Sequence, residues 1–196
     1  MGRTFRTEQN ERVRHDLTLR DGPYTLRPLT EADFGPLMAL AQASAAEYAQ
    51  MAVHPATLSF YQGGLDAPDQ MVYVKLVGGE YVGCTRYLEM RPAHRGLEIG
   101  STWLAPAFMR SAANRTYKRL LLGHAFEAMD MARVQIKTDI LNIRSQTAIE
   151  RLGAVREGVL RQHMVRPDGT LRDTVMYSVV QQEWPELKAR LSQTGT

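Results

Sequence analysis

Hydrophobic and polar positions along the chain switch between a period of two and a period of three to four, and the switches mark out its elements. Tyr24-Thr25-Leu26-Arg27-Pro28-Leu29 alternates as a short strand. Thr30-Glu31-Ala32-Asp33 then has the form of an N-cap with an acid three residues on, which predicts a helix to about Ala46. Residues 47–70 show no clear period and carry His54-Pro55 and Gly63-Gly64, so an irregular, substrate-facing lid is expected there. Met71–Val77, a Gly78-Gly79 turn and Tyr81–Glu89 predict a β-hairpin. The next strand, Leu97–Leu104, sets Leu97, Ile99, Ser101 and Trp103 against Glu98, Gly100, Thr102 and Leu104. Arg115–Met131 places Tyr117, Leu121, Ala125 and Ala128 on one stripe of a helix. Val134–Asp139 returns to period two, and Asn142 opens a helix that runs to Leu152 and stops at Gly153. Val155–Val165 and Leu171–Val180 flank the turn Pro167-Asp168-Gly169, and a last helix is expected near Gln182–Leu191.

The order is therefore β-α-(loop)-β-β-β-α-β-α-β-β-α. A strand, crossover helix and strand over residues 97–139 imply one parallel pair inside an otherwise antiparallel sheet. Such a lone pair is a natural place for strands to splay, beside the N-terminus of the Arg115–Met131 helix. Residues 1–16 are polar, mixed in charge and unpatterned, and read as a flexible arm; residues 17–196 read as a single domain, without repeat or linker.

Composition narrows the classes of function. The one cysteine, Cys84, excludes an intramolecular disulfide, and the five scattered histidines give no metal-ligand spacing, so no metal is expected. No apolar run has the length of a membrane span and the N-terminus has no signal-peptide core, so a soluble, cytoplasmic protein is expected. The net charge of +3 is spread among acids, with one concentration at Arg110, Arg115, Lys118 and Arg119. That suits a small anionic ligand better than a nucleic acid.

From Leu97 to Leu191 the chain resembles the GNAT acetyltransferase superfamily, and within it the ribosomal-protein-alanine N-acetyltransferase (RimJ/RimL-like) type. The resemblance rests on Glu98-Ile99-Gly100 with Trp103-Leu104, on Ala113-Asn114 opening a Leu-rich helix, and on Lys137-Thr138-Asp139. Asn142-x-x-Ser145-x-x-Ala148-Ile149-Glu150-Arg151-Leu152-Gly153-Ala154 and Glu157-Gly158-Val159-Leu160-Arg161 complete it. It implies an α+β fold, a three-layer α/β/α sandwich with a mixed, mostly antiparallel sheet. It further implies acetyl-CoA in the splayed cleft, its pantetheine paired with backbone near Trp103 and Leu104 and its pyrophosphate on Met109, Arg110, Ser111, Ala112, Ala113, Asn114 and Arg115.

The family's loop carries glycines where this one has Arg110-Ser111-Ala112-Ala113. A left-handed residue there costs about 1–2 kcal/mol, comparable to the roughly 1.5–3 kcal/mol of one charge-assisted bond from Arg110 or Arg115 to phosphate. A solvated helix start without ligand is the bland alternative. Asn142 is explained by N-capping alone, and the resemblance adds contact with the cofactor. The resemblance places Ser145 near the acetyl thioester as the candidate proton donor to the departing thiolate, since the Tyr that many of the family carry is missing between Asn142 and Gly153; its plainer role is a first-turn helix Ser in a local hydrogen bond. Glu98, between Leu97 and Ile99, is the candidate general base, its plainer role being a paired or exposed strand carboxylate. Glu47, Tyr48 and His54 lie where the family builds its acceptor pocket, and His163 is a weaker candidate for the same site.

The expected function is acetyl transfer from acetyl-CoA to a primary amine, either a protein N-terminus or a small amine, in a ternary complex. The alternative is a catalytically silent CoA-binding module, and nucleic-acid binding is a distant third. A homodimer, paired through the basic arm and the last helix, is compatible with the sequence.

Overall fold

The computed structural model describes residues 16–192, so the arm expected over residues 1–16 lies outside them but for Asp16. The strands are β1 (Leu19–Asp21), β2 (Tyr24–Pro28), β3 (Met71–Val77), β4 (Glu80–Arg91), β5 (Gly96–Leu104), β6 (Arg133–Asp139), β7 (Val155–Val165) and β8 (Leu171–Val180). The helices are α1 (Phe34–Gln42), α2 (Leu58–Asp66), α3 (Ala112–Gly123), α4 (Ile143–Leu152) and α5 (Trp184–Ser192). The strands form one sheet in the order β1-β2-β3-β4-β5-β6-β8-β7. Every adjacent pair is antiparallel except β5 and β6. Among the described residues no helix is long and apolar enough to cross a membrane.

Two apolar clusters give the three layers. On one face Tyr117 and Leu121 of α3, Ile149 and Leu152 of α4, and Leu187 and Leu191 of α5 pack on Leu97, Ile99, Val134, Ile136 and Val175. On the other, Phe34 and Leu37 of α1 and Phe60 and Tyr61 of α2 pack on Val72, Val74, Cys84 and Trp103. α3 is tied to the sheet through buried hydroxyls: Tyr117 donates to the Leu76 carbonyl at 2.7 Å and Tyr87 to the Leu121 carbonyl at 2.6 Å.

Several expectations change. β1 adds a strand before the first expected one, and residues 47–70 are not wholly irregular, since α2 occupies Leu58–Asp66. Its Gly64 marks close packing rather than a break: a Cβ there would lie 2.5 Å from Arg86 Nη1 and 2.9 Å from Val72 Cγ2. The helix expected over Arg115–Met131 begins at Ala112 and ends in a π turn at His124–Ala128, which leaves Ala128 exposed.

The alternation expected along β5 also breaks. Cys84 pairs with Trp103 and Arg86 with Gly100, so β5 holds one residue more than β4 between these pairs, with Ser101 at φ +46°. This bulge switches the faces. Leu97, Ile99 and Leu104 point into the first cluster and Trp103 into the second, on the face of Glu98 rather than opposite it.

Gly83 lets β4 approach β5 beyond the bulge. Its φ is +151°, and a Cβ would sit 2.2 Å from the Trp103 carbonyl oxygen, a backbone atom that cannot rotate away. Gly83→Ala is expected to cost about 2–4 kcal/mol and lower Tm by several degrees. An unchanged thermal unfolding curve would contradict the close approach.

Candidate functional site

The parallel ladder joins only Gly96 to Arg133, Leu97 to Val134 and Glu98 to Gln135. β5 and β6 then continue apart to Leu104 and Asp139, leaving a gap with Glu98 at its base. The cleft expected at the parallel pair is thus present.

Glu98 is 2% exposed. Lys137 Nζ lies 2.8 Å from its Oε2 and 2.6 Å from Glu89 Oε1. Gln135 Nε2 donates to Glu89 at 3.0 Å and to Glu98 at 3.4 Å. Burial pushes the Glu98 pKa above the usual carboxylate range, with the Lys137 ammonium opposing it. Burial also penalises the Lys137 charge, but Glu98 and Glu89 outweigh that and hold its pKa up. Lys137, Glu89 and Gln135 escaped the sequence reading as site residues. The polar series Gln135, Lys137, Asp139 alternating with Val134 and Ile136 puts Gln135 and Lys137 on one face of β6, but nothing in the sequence ties them to Glu89 or Glu98.

Two lysines are buried nearby. Lys75 Nζ donates to the Trp103 carbonyl at 3.4 Å and sits 5.4 Å from the Tyr117 ring centroid. Burial lowers its pKa well below the usual lysine value. Burial likewise lowers Lys118 to about 8, with the charge of Glu98 opposing. At the end of β5 the Tyr48 hydroxyl donates to the Leu104 carbonyl at 2.9 Å, and its ring meets Trp103 edge-on at 5.4 Å. The Trp103 side chain is core, and the carbonyls of Trp103 and Leu104 each have an internal donor.

β5 leads through a turn into the N-terminus of α3. Ser111 is the N-cap, its hydroxyl oxygen accepting from the Ala113 N–H at 3.1 Å, so Ala112, Ala113, Asn114 and Arg115 form the first turn rather than a loop. Met109 is half-buried before it. The left-handed residue that the absence of glycine called for is Arg110, at φ +61°. The guanidinium groups of Arg110 and Arg115 make no ion pair or hydrogen bond among the described residues, next to first-turn N–H groups that lack intrahelical acceptors.

β6 leads likewise into α4, where the Asn142 side chain accepts the Ser145 N–H at 3.0 Å as an N-cap. The segment before α2 straps across to this helix. Arg144 pairs with the Glu47 carboxylate and donates to the Glu47 carbonyl at 2.9 Å, and Gln50 donates to the Leu141 carbonyl at 3.3 Å. His54 is used inside the strap, with Nε2 2.9 Å from the Ala45 carbonyl and Nδ1 accepting the Ala56 N–H at 3.1 Å. Glu98, Trp103, Leu104, Tyr48, Glu47, Asn142 and Ser145 are therefore gathered around one gap. His163 is not: it is exposed on β7, beyond β8 and β6 from Glu98.

Residues 24–155 match the Acetyltransferase (GNAT) domain family, and the chain belongs to that family. It is 30% identical over 109 residues to the protein of Bacillus subtilis (strain 168) provisionally named ribosomal N-acetyltransferase YdaF, with 56% of this chain and 58% of YdaF covered. The chain thus spans a little over half the length of that curated relative. A crystal structure from T. thermophilus, provisionally named an acetyltransferase, is 39% identical with a TM-score of 0.80, covering 89% of this chain and 94% of that one. Mycobacterium smegmatis RimJ, solved in complex with CoA-disulfide, shares the fold at 21% identity and a TM-score of 0.74, covering 89% and 90%.

The strain at Arg110 is measurable without any ligand. Arg110→Gly is expected to gain about 0.5–1 kcal/mol in denaturant unfolding, while Arg110→Ala, still left-handed, gains nothing. Equal stability of the two variants would contradict the left-handed assignment.

Proposed function

We propose that the chain transfers an acetyl group from acetyl-CoA to a primary amine, a protein N-terminus or a small amine, within a ternary complex. The observation that carries this reading is the parallel pair that parts after Glu98, leaving a buried carboxylate at the base of a gap onto which two helix N-termini open. When bound, acetyl-CoA supplies an activated thioester. The chain's residues fit its anionic part: the first turn of α3 offers unpaired N–H groups, flanked by Arg110 and Arg115. RimJ, of the same fold, was solved with a CoA derivative, which supports the cofactor reading.

Glu98 serves as the general base for the acceptor amine, directly or through water. Burial raises its pKa toward the working pH, and the Lys137 ammonium opposes that rise. Ser145, whose hydroxyl makes no hydrogen bond among the described residues, donates the proton to the departing sulfur. Asn142 caps α4 and so holds its N-terminus in place beside the gap. Glu47 and Tyr48 shape the acceptor side.

The first test is thermal stabilisation by acetyl-CoA against CoA and ATP, followed by acetyl-CoA consumption over a panel of amines and peptides. Stabilisation without turnover of any amine would favour the silent CoA-binding module, and no shift at millimolar acetyl-CoA would sink the cofactor assignment. Glu98→Gln is expected to lower kcat by about 10²–10⁴-fold. Because the base works deprotonated, kcat/KM should rise with pH through the Glu98 pKa. Lys137→Met removes the opposing charge and should move that acidic limb to higher pH; a limb that stays put would remove Glu98 as its source.

A further inference from the structure

Beyond the Glu98 cluster, β6 and β8 carry a second group of charges on the same face. Lys137 pairs in register with Met176 and Asp139 with Thr174, with Arg172 two residues further along β8. Asp139 is already satisfied: Arg166 grips it with Nε at 2.7 Å and Nη2 at 3.0 Å, and the Leu141 N–H adds a bond at 2.9 Å. Arg172 is only 7% exposed, yet its side chain forms no hydrogen bond among the described residues, and its Nε lies 3.9 Å from Asp139. The Thr174 hydroxyl, fully buried on the same side of β8, also has no partner among them. A buried donor without an acceptor costs about 1–3 kcal/mol, and more when charged. The Thr174 hydroxyl is sealed from solvent, whereas part of the Arg172 side chain stays accessible to an acceptor from outside the chain.

The charges sort by position. Lys137 answers one of the two carboxylates Glu89 and Glu98, leaving a negative surplus at the base of the gap. Asp139 faces two guanidinium groups, Arg166 at 2.7 Å and Arg172 at 3.9 Å, which leaves a positive surplus on that side. An amine that carries a carboxylate has the complementary pattern. We infer that Arg172 forms a carboxylate subsite of the acceptor pocket, so that the preferred acceptor bears a carboxylate close to its amine. The inference rests on the acetyl-transfer reading. The Arg172 charge is penalised by burial and supported by Asp139, and it also senses Glu98, so the two ends of the pocket lie within electrostatic reach of one another.

The carboxylate has two possible sources, a free amino acid or an acidic side chain at a peptide N-terminus. The test compares kcat/KM for a panel of α-amino acids with their decarboxylated amines, and for Asp- and Glu-initiated peptides with their Asn- and Gln-initiated counterparts. Wild type should prefer the carboxylate in one of the two sets by about 10²-fold or more, since an unmet buried donor discriminates strongly. Arg172→Met should collapse that ratio, and Arg172→Lys should keep part of it. A ratio near one in both sets, or equal losses for both members of each pair in Arg172→Met, overturns the inference.

A second readout stands apart from turnover. Titration calorimetry of N-acetyl amino acids against the matching N-acetyl amines, with CoA present, should show carboxylate-selective binding that Arg172→Met abolishes. That result supports the subsite even if no amine is acetylated, in which case only the acetyl-transfer reading fails. Absence of selective binding overturns the subsite whatever the turnover. The Tm of Arg172→Met should match or exceed wild type, because a buried guanidinium without a hydrogen-bond acceptor is removed and Asp139 keeps Arg166. A drop of several degrees would assign Arg172 to packing against Asp139 and overturn the subsite.

Discussion

β5 pairs with β6 only as far as Glu98, because the extra residue at Ser101 bends β5 away from the course its neighbour takes. The rest of the site follows from that parting. In a parallel pair both strands end at the same edge of the sheet, so the helices that follow them start there as well. α3 after β5 and α4 after β6 therefore bring two N-termini, each the positive end of a dipole, to one mouth. A hairpin would have sent one of them to the opposite edge. The bulge also carries Trp103 to the face of Glu98, where Tyr48 closes over it and over the end of β5.

The price of the gap is buried charge. Glu98, Asp139, Lys75, Lys118 and Arg172 are all nearly inaccessible, and isolated ions in such surroundings are strongly disfavoured. The fold answers them in three ways. Asp139 is fully met by Arg166 and a backbone N–H. Glu98 shares Lys137 with Glu89, so each carboxylate is half-answered and Glu98, the deeper of the two, is left with a raised pKa. The lysines lose affinity for their protons, Lys118 down to about 8. Asp139 is met in full, whereas Glu98, at the base of the gap, is met only in part.

Most elements were legible because each has a local signature: the Gly78-Gly79 turn, the Asn142 cap, and Gly153 at φ +101° closing α4. The places where the sequence misled are those where a tertiary contact overrode the local pattern. Gly63-Gly64 reads as a break, but Gly64 is small so that α2 can lie against Arg86. Ser111 was read as loop because Arg115 begins the charged run, although its hydroxyl caps a helix three residues earlier. The bulge at Ser101 leaves no mark in composition, and it inverts the face of every later residue on β5. At the site, Asn142 could be picked as a cap by type and position, while Glu98 and Ser145 were picked through the family resemblance. Lys137, Glu89 and Arg172 could not, since their significance lies in partners 39, 48 and 33 residues away or in the absence of any.

The strap before α2 shows how unevenly such a site is held. Its ion pair to α4 joins side chains that are 53% and 42% exposed, and pairs of that kind contribute about 0.2–1 kcal/mol at most. Tyr48, by contrast, is 3% exposed, packs on Trp103 and His54, and donates to the Leu104 carbonyl. Burying an aromatic ring of that size stabilises by about 1.5–3 kcal/mol, and the hydrogen bond adds roughly 1 kcal/mol more. The hold of the strap therefore sits at Tyr48, above the end of β5, and the contacts that reach α4 across the mouth are the weaker ones. Breaking the contact between Glu47 and Arg144 therefore costs the strap least, and breaking that of Tyr48 with Trp103 and the Leu104 carbonyl costs it most.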